Sequence, residues 1–561
     1  MVRDIRWQAI MALLGSLLLI ALLSQLAAGR TAVLVPAVGG RYVEAVVGYP
    51  QQINPLLARY GTPERDLCAL IFSGLSRAEA NGEIRPELSQ AWEISPDGQT
   101  YAFYLRQDVR WHDGTPFTAH DVVFTIRLIQ SANPATLPEL TAAWQDVKVQ
   151  AMDTYTVVFE LPQAYSPFLE QTTLGLLPRH LLDGMPLAKV IHHRFNQQPI
   201  GTGPFRLETL AADYVRLVPH AQFYGPRSFL RQLEFRFYPD GASALAAYGR
   251  GEVAGIAGLP PALLDQAAEQ PELNLFTSPL YGYTLVVLNN RRSIFADKRV
   301  RQALAYGLDR QALIDDVQNG QGIVAHGPII VGHWAYDPEV ARYDLDVPRA
   351  EELLDTTGWH IAGSSTLPSQ EDTLPFRDLR SKGEQPFTFT LLTSDETIHR
   401  HLAAALVKQW SRLGLQVIVE AVPVPTRDRR LYDYQFDAAL LEMAPSADPD
   451  VYPWWHSTQA KGRQNFAGFS HFGADQVLQQ ARLVTDRSQR WAFYRAFQRI
   501  FAQEVPAILL YQPIYVYGIS QKVKNVQLAP LLEPSHRFRD IHNWYQVTQR
   551  VIVQQTATPP R

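Results

Sequence analysis

The sequence predicts a mixed α/β fold divided into several lobes, and three observations carry that expectation. First, 561 residues are too many for one hydrophobic core; at ~150 residues per domain the chain splits into roughly three to four. Second, 46% hydrophobic and 19% charged residues, with ordinary Gly and Pro, is a globular composition. Third, strand-type and helix-type periodicities alternate irregularly after residue 40, with no internal repeat.

The elements follow in chain order. Arg3 and Arg6 precede an uncharged stretch from Trp7 to Gly29. A bilayer span needs ~20 apolar residues, so this run is long enough for an anchor. A basic flank before an apolar run is also the pattern of a secretory signal, with Ala27, Ala28 and Gly29 as small residues for cleavage. We take a retained anchor as the expectation; in either case the remaining chain is exported. No cysteine follows the run, so lipid attachment there is not expected. Tyr101, Phe103 and Leu105 alternate as a half-buried strand does, and Tyr155 to Leu161 is rich in β-formers. Val215 and Leu217, then Leu233, Phe235 and Phe237, read the same way, as do Phe387, Phe389 and Leu391, and Val417 and Val419. Thr118 with Asp121 forms a capping-box pattern before Val122, Val123 and Ile126. A second helix carries the stripe Val300, Ala303, Leu304 and Leu308, with Arg299, Arg301 and Arg310 on its polar face and Gly320 as its stop. A third, marked by Ile398, Leu402, Leu406 and Leu413, ends at Gly414. Trp491, Tyr494 and Ile500 mark a long helix stopped near Pro506. Ala362 to Gln385 reads as a polar surface insertion and Val553 to Arg561 as a disordered tail.

Several function classes recede on these residues. A net charge of −4 lacks the basic excess of a nucleic-acid binder. Cys68 is the one cysteine, so neither an intramolecular disulfide nor a cysteine-rich metal site is expected, and avoiding cysteine suits an oxidising compartment. His399 and His401 lie two apart on a predicted helix and face different ways, unlike the i,i+4 spacing of a metal-binding pair. No G-x-S-x-G elbow and no phosphate-binding loop is present. Gly201-Thr202-Gly203 runs into Pro204, which reads as a tight turn rather than a dinucleotide fingerprint. The carboxylate pairs Asp315-Asp316 and Asp448-x-Asp450 are the remaining chemical candidates, at separations the sequence does not supply.

Five segments, in order over roughly residues 50 to 525, resemble the family 5 extracellular solute-binding proteins of ABC importers. They are RPELSQAWEISPDGQTYAFYLRQDVRWHDGTPFTAHDVVF from Arg85, IGTGPFRLE from Ile200, LNNRRSIFADKRVRQALAYGLDRQAL from Leu288, ADPDVYPWWHS from Ala447 with NFAGFSH from Asn465, and VPAILLYQPIYVYGISQKVKN from Val505. Trp111 to Pro116 within the first is turn chemistry, and Asp297, Arg299 and Arg301 in the third are a helix cap and ion pairs. The resemblance implies a periplasmic-binding-protein-like class II fold of two jaws, an extra inserted lobe and a hinge. Residues 1–40 are then the signal or anchor with its linker, and 41–75, 200–290 and 512–548 the first jaw. Residues 76–199 are the inserted lobe, 291–511 the second jaw, and 549–561 the disordered tail.

In peptide binders of this family an Asp in an Ala-Asp segment pairs with the ligand's α-ammonium. The resemblance places that role on Asp448, with Asp450 as substitute. Such proteins often carry Gly-Trp just before it, where this chain has Ala444-Pro445-Ser446, and Pro445 has no N–H to offer a peptide. Aromatic candidates for the cleft are Tyr281, Tyr283, Trp454, Trp455, Tyr511 and Tyr515, each equally a core residue by type. Phe72 and Gly74 lie in the segment matching the family's first cleft-edge loop. The implied function is capture of a peptide or peptide-like solute outside the cytoplasm and delivery to ABC permease subunits, by a monomer without cofactor, metal or nucleic acid. An opine, a sugar or a metal chelate stays open as ligand. The alternatives are an exported glycosidase or peptidase on the same scaffold, and an anchored sensor or chaperone.

Overall fold

One long strand, Ala507–Ser520, organises the molecule. Apolar residues fill it almost throughout, so it is buried from both sides, as a central strand must be. Its first half pairs antiparallel with Tyr283–Leu288, from Thr284 opposite Tyr511 to Val287 opposite Ala507. Its second half pairs antiparallel with Leu273–Pro279, from Pro279 opposite Ile514 to Leu273 opposite Ser520. The computed structural model describes residues 2–58, 62–361, 379–444 and 446–552. Among these the largest sheet has 12 strands, and the long strand joins its two halves. The first half of the sheet, on the side of Leu273–Pro279, continues through Gly255–Ile256, Arg41–Val47, Gln232–Tyr238, Tyr214–Pro219 and Phe205–Leu210. The second half runs from Tyr283–Leu288 through Ala438–Met443 and Thr388–Ser394 to Gln416–Val422.

The chain therefore crosses between the halves at two neighbouring places. At the first, residues 280–282, the Leu280 N–H donates to the Pro513 carbonyl at 2.9 Å. At the second, the Gln512 amide nitrogen donates back to the Leu280 carbonyl at 3.1 Å. Pro513 has no N–H for the ladder, so the pairing is weakest where the halves join.

Between Arg41–Val47 and Phe205–Leu210 the chain builds a separate antiparallel sheet in the order Ser89–Ile94, Thr100–Leu105, Thr156–Glu160, Lys148–Ala151. The helix Ala119–Gln130, which opens with the expected Thr118–Asp121 capping box, covers it. Phe103, Phe159 and Phe168 pack edge to face beneath it, Phe103 and Phe159 at 5.7 Å. This inserted lobe is fixed to the first half by two of the motifs read in the sequence. Gly114 supplies the left-handed residue of the Trp111–Pro116 turn, with φ +89°. His112 then takes the Gly201 N–H on Nδ1 at 3.2 Å and donates from Nε2 to the Gly203 carbonyl at 3.1 Å. A Cβ on Gly201 would lie 1.8 Å from the Ile71 carbonyl oxygen, so only glycine allows this approach.

A buried ionic knot closes the first half. The Arg537 guanidinium donates to Glu44 at 2.6 Å and to Asp66 at 2.8 Å, and the Tyr42 hydroxyl donates to Glu44 at 2.9 Å. Segments near the two ends of the chain are thereby locked together.

Several expectations need correcting. The single helix expected here is two, Lys298–Tyr306 and Arg310–Gln318: Val300, Ala303 and Leu304 lie on the first, and Leu308 falls in the break that begins at Gly307. Arg301 and Arg310 are buried rather than on a polar face. Arg301 donates to the carbonyls of Phe295 and Glu504, and Arg310 to those of Ala325 and Leu509, which satisfies buried backbone acceptors. Ordered structure also reaches past residue 549: Val547–Ile552 pairs antiparallel with Ala32–Ala37. The tail from Val553 and most of the polar insertion lie outside the described residues. The N-terminal segment is helical over Val2–Thr31, and among the described residues no helix is long and apolar enough to cross a membrane.

Candidate functional site

The loop Ala447–Asp450 leaves the sheet after Ala438–Met443 and enters the space between the second half and the inserted lobe. Two helices of the second half hold its acids. Arg490, on Arg487–Glu504, grips Asp448 with two parallel N–H···O bonds of 2.9 and 2.6 Å. The same guanidinium donates to the Ala481 carbonyl and the Tyr494 hydroxyl. Arg482, on Phe472–Leu483, holds Asp450 at 3.0 and 2.6 Å and lies over the Tyr452 ring at 3.8 Å. Both acids are buried, so each charge is compensated inside the second half.

The inserted lobe supplies a third acid. Glu170 sits on the short helix Phe168–Gln171 and accepts the N–H groups of Ala447 at 2.6 Å and Asp448 at 3.3 Å. Desolvation first, and then the charge of Asp448, push its carboxyl up to about 8. On the other side of the loop the His333 Nε2 donates to the Ala447 carbonyl at 3.1 Å, while its Nδ1 accepts the Ala335 N–H at 3.0 Å. That pattern requires a neutral ring, and burial lowers His333 to about 3. Gly82 of the inserted lobe rests on the same ring, where a Cβ would meet Nε2 at 2.2 Å. The Ser166 N–H donates to the Arg482 carbonyl at 2.7 Å, and the Trp334 N–H to the Asn81 carbonyl at 3.3 Å. The two bodies are thus in direct contact around Ala447.

The residues expected at the site are dispersed. Tyr281 is buried against the His333 ring at 5.6 Å, and its hydroxyl has no hydrogen-bond partner. It lines a small cavity with Ile329, His333, Ser446 and Pro449 that has room for about one water. Trp454 is half-buried near this loop, whereas Trp455 packs edge-on against Phe501 in the core at 4.7 Å. Tyr283 is buried in the same core. The Tyr511 hydroxyl accepts from Gln318 at 2.7 Å, and Tyr515 belongs to the core of the first half. Phe72 packs on Phe195 at 6.1 Å. A Cβ on Gly74 would meet the Thr173 carbonyl at 2.5 Å, so protein backbone fills the approach expected for a ligand. Pro445 lies outside the described residues. Arg482, Arg490, Glu170 and His333 carry no sequence signal that marks them; each is found only through the fold.

Two sheet halves joined by a double crossing, with an inserted lobe meeting the far half over a loop of buried acids, define a hinged solute-binding protein. The chain belongs to the bacterial extracellular solute-binding proteins, family 5, whose middle-region model matches residues 83–464. It is 26% identical over 522 residues to the oligopeptide-binding protein AppA of Bacillus subtilis, covering 91% of each chain. To the dipeptide-binding protein of Escherichia coli it is 24% identical, over 88% of this chain and 93% of that one. Among solved structures, the ABC transporter substrate-binding protein CtaP of Listeria monocytogenes superposes with a TM-score of 0.77 at 23% identity, over 91% of this chain and 99% of that one. NikZ of Campylobacter jejuni, solved with Ni(L-His), gives 0.72 at 24%, over 90% and 99%. These structural matches establish the shared fold. The family consists of extracellular binding proteins rather than enzymes.

Proposed function

We propose that this chain is the substrate-binding component of an ABC importer, capturing a peptide or peptide-like solute outside the cytoplasmic membrane and passing it to the permease. The observation that carries this reading is the double crossing at residues 280–282 and Gln512–Pro513, a hinge about which the second half closes on the inserted lobe. Two relatives along most of the chain are named for oligopeptides and dipeptides, and a solved AppA holds a nonapeptide. The division into 41–75, 200–290 and 512–548 as first jaw, 76–199 as inserted lobe and 291–511 as second jaw accords with these crossings. The chain works as a binder without catalysis. Asp448 and Asp450, the paired acids a hydrolase would use, are each tied to an arginine, which leaves neither free to move a proton. The N-terminal segment, basic at Arg3 and Arg6 and uncharged from Trp7 to Gly29, directs export of the chain.

Native mass spectrometry of protein purified without denaturant tests the ligand class. Peptides bound at one per chain, released by unfolding, are expected; a bound sugar, haem or metal chelate would replace the peptide reading.

A further inference from the structure

A short hairpin at the start of the inserted lobe reaches out of that lobe to the second half. Its strands, Ser76–Ala78 and Ile84–Pro86, form a two-stranded antiparallel sheet of their own. A sheet of that size is marginal alone, so its surroundings must hold it. The first half holds its root: Arg539 donates to the Ala78 carbonyl and lies 3.5 Å from Glu79. Ala78 and Ile84, opposite each other in register, pack against the core of the second half that contains Ile330 and Ala447. The tip is closed by the Gly82 N–H on the Glu79 carbonyl and the Glu83 N–H on the Asn81 side chain, both at 3.0 Å, with Gly82 at φ +81°.

That tip meets the second half residue by residue. The Trp334 N–H donates to the Asn81 carbonyl at 3.3 Å. A Cβ on Gly82 would lie 2.2 Å from His333 Nε2 and 2.7 Å from the Ala447 carbonyl oxygen. Arg487 donates to Glu83 at 2.5 Å, and its guanidinium lies over the Trp334 ring at 5.1 Å. Each of these contacts joins protein to protein, so its strength does not depend on which solute lies in the cleft.

We propose that the Ser76–Pro86 hairpin is the latch of closure. It clips over Ala447 when the inserted lobe meets the second half, and it contributes a solute-independent share of the closing free energy. It thereby sets how much of the population stands closed before a solute arrives. That fraction scales the apparent affinity of every solute by one common factor. A residue that touches solute changes affinities unequally; a latch changes them together. Gly82 is where the latch can be blocked, because any side chain there enters space filled by the His333 ring. Asn tolerates the left-handed conformation, so Gly82→Asn keeps the turn and wedges the contact.

This inference rests on the hinge closure of the proposed function and not on its peptide class. Nitroxides on Glu139→Cys of the inserted lobe and Arg429→Cys of the second half, both exposed, give the spin–spin distance distribution of the full, solute-stripped chain. Wild type is expected to show a short-distance population that Gly82→Asn removes. Calorimetry with trialanine and trileucine is expected to show both affinities falling by the same factor, about tenfold. Arg487→Gln leaves the turn intact, should shift both readouts the same way by less, and decides the case if Gly82→Asn fails to fold. A short-distance population absent from wild type, or unchanged in the variants, overturns the latch; the proposed function stands if peptides still shorten the distance. Affinities that fall unequally overturn it too and make the hairpin a solute contact. Binding of neither tripeptide removes the peptide class, while the distances still decide the latch.

Discussion

Arg490 binds Asp448 through both guanidinium edges and spends its remaining donors on Ala481 and Tyr494. Removing one partner of such a buried pair strands the other, at a typical cost of ~3–5 kcal/mol. Asp448→Asn keeps the shape and loses the charge, so it should lower unfolding free energy by about 3 kcal/mol. Urea unfolding checks it; an unfolding free energy equal to wild type would show that the pair with Arg490 contributes nothing net to the fold. The buried histidines make a second statement at this scale. Desolvation lowers His112, His333 and His536 to about 3 from the ordinary 6.5. The folded state binds fewer protons than the unfolded chain between those values. Their contribution is therefore complete above about pH 6.5 and is lost progressively as pH falls toward 3. Glu170 has the opposite sign, since its folded carboxyl is raised from 4.5 to about 8 and its contribution fades as pH rises through that interval. Three histidines outweigh it, so the urea midpoint should fall between pH 7 and pH 5; a flat or rising midpoint would contradict the neutral, buried rings. The pair Asp448-x-Asp450 stood out in the sequence, but the arginines that define its chemistry lie 42 and 32 residues away. Glu170 stands in an unremarkable Phe-Leu-Glu-Gln run, because its contact with Ala447 and Asp448 depends on what a separate lobe brings opposite it.

At the scale of elements, local patterning carried far. The alternating runs at Tyr101, Val215, Leu233 and Val417 are strands, and the Thr118 capping box opens its helix. The break at Gly307 was hidden because the apolar stripe continues through Leu308, keeping a helical period across a turn. Arg301 and Arg310 were misplaced for a related reason: residue type marks them as surface, whereas the carbonyls that bury them come from segments about 200 residues away. The two motif segments at Trp111 and Gly201 explain each other, since His112 reads the backbone of the Gly-Thr-Gly turn. Gly201→Ala places a methyl against the Ile71 carbonyl at a distance no Cβ tolerates. We predict a loss of several kcal/mol, with large values of this kind reserved for overpacking and backbone strain. Thermal unfolding of Gly201→Ala checks it; a melting temperature within a degree or two of wild type would show that the lobe does not depend on this contact.

For the whole molecule, length and composition predicted several lobes, but the pairing of Leu273–Pro279 and Tyr283–Leu288 with one strand at least 220 residues later has no local signature. That pairing makes the two halves separable about residues 280–282 and Gln512–Pro513. Across the mouth of the contact, Tyr432 of the second half feels the charge of Glu139 on the inserted lobe. Cys68 is buried and is the one native cysteine, so nitroxides on Glu139→Cys and Arg429→Cys, both exposed positions, report the gap cleanly. The decisive measurement is the spin–spin distance distribution of this doubly labelled full chain in lipid nanodiscs, stripped of ligand and then saturated with a tryptic digest of casein. A hinged binder gives a broad, longer distribution that collapses to a single shorter distance on addition of peptides. The same distribution before and after saturation would contradict closure on a solute, and with it the function proposed for this chain.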